Sequence, residues 1–209
     1  MRLDPAGLPF ILGALALALG AGVGLNWRVA APFLMLAAFF AFFFRDPERQ
    51  PSTSDGNAVL SPADGRVLVA GPAQASAAPD GQWQQVSVFL SPMDVHVNRV
   101  PVSGLVTRVT FVRGRFLPAY RPEAATVNER CETWIDHQGQ SVVARQIVGV
   151  LARRVVCRVP RGATVRAGER LGVMKFGSRM DVFLPLRATL TVSVGQRVRG
   201  GETVIAVLR

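Results

Sequence analysis

Cysteine, histidine and acidic side chains are all scarce in this sequence of 209 residues, and each shortage narrows what the protein can be. There are two cysteines, Cys131 and Cys157, with no CxxC spacing and no histidine cluster beside them, so neither a zinc site nor a disulfide framework is implied. A reducing compartment is the simpler setting, and Cys157, inside the apolar run RVVCRV, reads as a small buried hydrophobe. Acidic residues number 14 against 24 lysines and arginines, a formal net charge of +10 that calls for a polyanionic partner, either nucleic acid or an anionic membrane surface. The arginines are scattered through strand-like segments and none of the common nucleic-acid motifs can be read in the chain, so the membrane is favoured and nucleic acid is not expected. Helical periodicity is also scarce: beyond residue 46 no stretch carries a long 3.6-residue apolar pattern, although 117–128 has room for a short helix.

Apolar sequence is abundant at the start. LPFILGALALALGAGVGL, from Leu8 to Leu25, carries no charge, and after NWR a second stretch of 16 residues, VAAPFLMLAAFFAFFF, runs from Val29 to Phe44. The first approaches the roughly 20 residues that span a bilayer, and the second crosses only a thin or deformed one. Residues 1–46 are therefore expected to form a membrane-associated helical hairpin. A signal peptide is the competing account, but its apolar region covers only about 7–15 residues and no second stretch follows it. Arg2 precedes the hairpin and Arg45 and Arg49 follow it, so the positive-inside bias puts both ends, and the domain beyond, on the cytoplasmic side of the cell membrane.

From residue 47 to residue 209 the period becomes two. RVLVA, QQVSVFL, GLVTRVTFV, SVVARQIVGV, LGVMKF, DVFLP and TLTVSV are short valine-rich runs broken by Gly, Pro and Asp, which predicts one mainly β domain. It is large enough to bury a core without metals or disulfides. Laid on itself with an offset of 33, the last part repeats: Gly162, Val165, Gly168, Glu169 and Leu171 match Gly195, Val198, Gly201, Glu202 and Val204. Each copy reads as a tight turn, a short strand, a Gly-Glu turn and a return strand. That rhythm is similar to lipoyl and biotinyl domains, and with the turn-strand form of SPADGRVLVA it predicts a flattened β-sandwich of barrel-sandwich, hammerhead-like units.

Within MKFGSRMDVFLP, Gly177 and Ser178 lie between two strands; taken alone, a Gly-Ser pair is an ordinary hairpin turn. The residues nonetheless allow a reaction. Ser178 Oγ can attack the carbonyl of Gly177, turning the amide into an ester, if a base takes the hydroxyl proton and the peptide is held bent. Elimination across Cα and Cβ of residue 178 then leaves dehydroalanine, which hydrolyses to a pyruvoyl cap and ammonia. The chain would end as 1–177 and 178–209.

Four blocks in order, FFFRDPER, SPADGRV, FLSPMDVHVNRVPVSG and FGSRMDVFLP, with weaker echoes in FLPA, NER and VGVLARRVVC, resemble the phosphatidylserine decarboxylases over nearly the whole chain, particularly their short prokaryotic form. The resemblance implies a zymogen whose two chains, β (1–177) and α (178–209), stay associated after self-cleavage between Gly177 and Ser178. It also implies a covalent pyruvoyl group as the sole cofactor, with no metal. That group condenses with the amine of phosphatidylserine as a Schiff base and yields phosphatidylethanolamine, the substrate being drawn from an anionic membrane. Oligomeric state is left open.

His96, in the block SPMDVHVNRVP, is the best candidate for the proton work, although a lone histidine in a β domain on its own reads as structural; His137, in IDHQGQ, reads as part of a hairpin turn. Asp64, in PADG, matches the acidic member of the family's Asp-His-Ser processing arrangement, and elsewhere would be a plain turn aspartate. Longer family members carry a second histidine where this chain has Arg99, so either His96 serves both cleavage and decarboxylation or Asp64 acts in cleavage with another partner. Arg113 and Arg115 are candidates to bind the lipid phosphodiester, or else are solvated strand charge; Phe116 and Leu117 are candidates to meet acyl chains or to pack in the core. Two rivals remain. A membrane-anchored lipoyl- or biotinyl-like carrier would use Lys175 of VMKF, and a pyruvoyl decarboxylase would act on a different serine-bearing lipid or a soluble amino acid.

Overall fold

The computed structural model describes residues 2–150, 154–174 and 177–209, in two compact units, Met1–Glu48 and Arg49–Arg209. Lys175, the lysine of the carrier alternative, lies outside the described residues.

The first unit is a helical hairpin. Strand β1 (Arg2–Leu3) leads through a 3-10 turn, Pro5–Gly7, into α1 (Leu8–Gly24), which returns as α2 (Trp27–Phe43) and ends in β2 (Arg45–Asp46). The polar breaks in the sequence set these bounds. Asp4 accepts a hydrogen bond from the Ala6 N–H at 2.9 Å, and Asn26 caps α2 by accepting from the N–H groups of Arg28 and Val29 at 3.0 and 3.2 Å, so α2 begins two residues before the second apolar stretch. The hairpin closes where β1 pairs with β2 and the Phe10 ring meets those of Phe40 and Phe44 at 5.5 and 5.6 Å. Much of the apolar surface points outward, with Leu19 at 70% and Val23 at 82% exposure. The 20-residue stretch Pro5–Gly24 is long and apolar enough to cross a membrane.

The second unit is mainly β, as the two-residue period predicts. Its strands are β3 (Ala58–Leu60), β4 (Gly65–Pro72), β5 (Gln84–Leu90), β6 (Val97–Arg99), β7 (Gly104–Val112), β8 (Arg130–His137), β9 (Gln140–Val148), β10 (Val155–Cys157), β11 (Thr164–Val165), β12 (Arg170–Met174), β13 (Ser178–Leu184), β14 (Thr189–Leu190), β15 (Arg197–Val198) and β16 (Val204–Val207). The room for a helix between 117 and 128 holds only the single turn α3 (Ala124–Val127). Among the described residues, eight strands form one antiparallel sheet in the order β11-β7-β8-β9-β13-β5-β4-β15, with two three-stranded sheets, β10-β12-β6 and β14-β16-β3.

The repeat has a structural counterpart. Gly162, Gly168, Gly195 and Gly201 hold φ of +87°, +84°, +89° and +74°, a region where only glycine is unstrained. The short strand of each copy docks at the start of a long one, Val165 opposite Gly104 on β7 and Val198 opposite Gly65 on β4.

Strand β13 runs through the middle of the main sheet and is buried on both faces. Ser178, Met180, Val182 and Leu184 lie with Val86, Val88 and Leu90 of β5 and with Ala144 and Val148 of β9, and this is the face that builds the apolar core. The opposite face is charged yet closed over: Arg179 Nε donates to Asp181 at 2.6 Å, and Arg145 pairs with Glu132 at 2.9 Å while also reaching the Ala77 carbonyl. Both cysteines are free thiols. Cys131 is buried, whereas Cys157 is half-buried and hydrogen-bonded, its Sγ 3.6 Å from the Thr133 hydroxyl; a hydrogen bond from Cys131 draws the Cys157 thiol down to about 6.

Candidate active site

Ser178 is the first residue of β13, and there two neighbouring strands also end: it sits opposite Leu90, the last residue of β5, and Val148, the last of β9. The chain enters this corner through Gly177, whose φ of +73° turns it onto the sheet. Ser178 is fully buried, and its Oγ has no hydrogen-bond partner among the described residues. A buried hydroxyl left in that state costs about 1–3 kcal/mol, so it calls for a chemical explanation.

His96, also fully buried, lies against the same peptide. It precedes β6 in the second sheet, and its Nε2 accepts the Gly177 N–H at 3.2 Å while Nδ1 donates to the Asp94 carbonyl at 2.9 Å. Those partners define a neutral imidazole with the proton on Nδ1.

Two further residues shape the corner, and neither stood out in the sequence. Gly149, immediately after β9, packs its Cα against the Gly177 carbonyl; a Cβ built there would lie 2.2 Å from that oxygen and 3.5 Å from Ala119 Cβ. Asn128 is fully buried and ties three segments together. It accepts the Leu117 N–H at 3.0 Å and donates to the carbonyls of Leu117 and Val148, each at 2.8 Å. The echoes FLPA, NER and VGV thus converge on the peptide between Gly177 and Ser178. Their only sequence signal was those short matches.

Asp64 is placed differently. Its Oδ2 takes a hydrogen bond from Arg49 at 2.7 Å and its Oδ1 one from the Gly200 N–H at 2.8 Å, while Arg49 also reaches Glu202 at 3.0 Å. Burial pushes the Asp64 carboxyl above its usual range, against the pull of the Gly200 N–H and Arg49; the charge of Asp94 adds to the upward push. Arg99 lies beside this cluster, donating its backbone N–H to the Pro62 carbonyl at 2.8 Å and a guanidinium N–H to Gly168 at 3.3 Å. Ser178, Gly177 and His96 are therefore brought together, and the hydrogen bonds of Asp64 go elsewhere.

Arg113 and Arg115 are exposed on the segment after β7, and among the described residues their guanidinium groups have no partner. The backbone of Arg115 is anchored to Val127 and Glu129 by hydrogen bonds of 2.7 and 3.0 Å. Phe116 is exposed next to them, and Leu117 is half-buried. His137 ends β8 just before the hairpin turn Gln138-Gly139 and bonds the Ser103 carbonyl at 2.7 Å. Among the described residues no three His, Cys, Asp or Glu side chains gather as metal ligands do.

Comparison with known proteins identifies the family. The family model described as phosphatidylserine decarboxylase matches residues 36–206. Similar curated proteins include the phosphatidylserine decarboxylase proenzyme of Nocardia farcinica, 44% identical across 99% of this chain and 87% of that protein. The proenzyme of Nitratidesulfovibrio vulgaris is 44% identical over 99% of this chain and 94% of its own length. That of Nitrosomonas europaea is 42% identical over 96% and 92%.

Proposed function

The chain belongs to the phosphatidylserine decarboxylase family, and we propose that it gains its activity by breaking its own backbone between Gly177 and Ser178. It is a lyase that converts phosphatidylserine to phosphatidylethanolamine. The observation that carries the proposal is the Ser178 hydroxyl, buried without a partner beside a peptide that Gly177 bends and His96 holds. The names of the relatives, each a proenzyme, support the same reading.

In self-processing His96 takes the Ser178 proton, and Oγ adds to the Gly177 carbonyl carbon. The bond to the Ser178 nitrogen breaks as that nitrogen takes the proton back from His96; loss of the Ser178 Cα proton then eliminates Gly177 as a carboxylate, and water hydrolyses the remaining dehydroalanine to ammonia and a pyruvoyl cap. The residues fit that group: a hydroxyl with no structural bond to lose, and a carbonyl that Gly149 leaves room for. The group supplies a ketone that takes up an amine and accepts the electron pair freed as carbon dioxide leaves. His96 then returns a proton to the substrate's Cα from Nε2, the ring nitrogen that faces residue 177, once that nitrogen has been protonated. Asp64, with its carboxyl pushed upward, is the second candidate for the cleavage proton.

Strand β13 supports lasting association of the two products, because chain 178–209 keeps its ladder bonds to β5 and β9. Arg113 and Arg115 face solvent with room for a phosphodiester, and the outward leucines of α1 suit insertion in an anionic membrane, with Arg2, Arg45 and Arg49 on the cytoplasmic side.

Intact mass tests the central claim. Two chains are expected, the smaller of 209 − 177 = 32 residues without a free amine; one continuous chain with an ordinary serine sinks it. His96→Ala should lower kcat for phosphatidylserine by about 10²–10⁴-fold, the usual worth of a positioned acid, even where some cleavage survives. Undiminished carbon dioxide release would remove His96 from the mechanism. Replacing Arg113 and Arg115 together by Ala should raise KM about tenfold with little change in kcat, and an unchanged KM would make them plain surface charge.

A further inference from the structure

One rung below Ser178 in the core, two amides face each other. Gln146 of β9 and Asn98 of β6 are fully buried, and Gln146 Nε2 donates to Asn98 Oδ1 at 2.9 Å. That bond leaves Asn98 Nδ2 and Gln146 Oε1 buried with no partner among the described residues. Turning both amides end for end gives the same inventory, one N–H2 group and one carbonyl unused. An apolar pair would fill the space without this standing cost to stability, so the unused groups point to a ligand.

Register fixes their position. Ser178 lies opposite Val148 and Met180 opposite Gln146, so Gln146 is the next inward residue on the face that carries Ser178. Asn98 follows His96 by two residues and shares its face. His96 meeting Gly177 and Asn98 meeting Gln146 are thus successive rungs between the same two sheets.

We infer that the Asn98–Gln146 pair recognises the amino-acid end of the serine headgroup, its free N–H2 donating to the substrate carboxylate and its free carbonyl accepting from the substrate nitrogen. The inference rests on Ser178 being the reacting residue. A lipid enters with its phosphate and acyl chains outward, so the carboxylate meets the deeper rung. One donor beside one acceptor matches a carboxylate and a nitrogen on a single carbon. Neutral amides orient that carboxylate without the strong ground-state grip of a cation, which would oppose its departure as carbon dioxide.

Asn98→Leu tests this. It is close to asparagine in volume and removes the free donor that would hold the substrate's carboxylate. Full-length protein is checked for two chains by mass. Phosphatidylserine and phosphatidylethanolamine of equal acyl composition are then offered separately in micelles with cyanoborohydride, which fixes a bound lipid amine to chain 178–209. The readout is the mass that chain gains, counting captured lipid with or without its carboxylate. Capture of the serine lipid should fall at least about 30-fold while that of the ethanolamine lipid, which has no carboxylate, stays within about threefold of wild type. Gln146→Met, similar in volume, should also erode the preference. Equal losses on both lipids, an intact preference, or failure of both variants to cleave overturns the inference. An uncleaved wild-type chain would instead remove the reading of Ser178 itself, and this inference with it.

Discussion

Ser178→Ala is expected to remain one uncleaved chain of 209 residues and to release no carbon dioxide from phosphatidylserine. The loss is total because the variant has no atom to add to the Gly177 carbonyl, so neither the new chain end nor its ketone is made. Stability should move the other way. The wild-type hydroxyl is fully buried without a partner, and deleting it removes a penalty of about 1–3 kcal/mol against the small loss of one oxygen's packing. Thermal unfolding of the variant should therefore match or exceed that of a wild-type chain caught before cleavage. Splitting of the variant at this peptide, or a marked fall in Tm, would contradict the account: the first would assign the nucleophile elsewhere, and the second would make the hydroxyl structural.

Gly149→Ala should arrest processing in a molecule that still folds. The added Cβ would sit 2.2 Å from the Gly177 oxygen, well inside any tolerable contact. The carbonyl has little room to give. Ser178 is held in register by Leu90 on one side and Val148 on the other, and Ala119 closes the approach to the same spot. Displacing a reacting carbonyl by about 1 Å can cost on the order of 10²-fold in rate, so cleavage followed by gel or mass should slow at least that much. Gly139→Ala is the control. It strains a residue at φ +81° in the β8–β9 hairpin, at the far end of β9, and should lower stability without slowing cleavage. Wild-type processing in Gly149→Ala would show that the carbonyl adjusts freely and that the close approach has no role.

The parts of the molecule written locally were legible in the sequence. The alternation in QQVSVFL and DVFLP, the glycines at 162, 168, 195 and 201, and the uncharged start each announced an element, because period and positive φ are properties of a few consecutive residues. Ser178 and His96 were singled out by the blocks that contain them, and the structure sets the His96 ring against the Gly177 N–H at 3.2 Å. Residues whose meaning depends on distant partners were not legible. Gly149 matters only because β13 lays Gly177 across it, and Asn128 only because three segments meet at its amide. Asn98 and Gln146 are ordinary polar residues in strands until register sets them face to face. Asp64 illustrates the converse: its motif suggested a partner for the serine, whereas the fold gives its two oxygens to Arg49 and Gly200.

The middle of a sheet is an unusual place for the front end of a separate polypeptide. In a cleaved molecule, the first six residues of chain 178–209 would stay clasped between β5 and β9, the same clasp that sets Ser178 in place for the cut. The order of events would then be one-way: the precursor must fold as a single molecule before the link is severed. Once denatured, the mature enzyme would have to recruit its central strand from solution, so its refolding becomes a two-body encounter weakened by dilution, and its lifetime is set by how slowly it first comes apart.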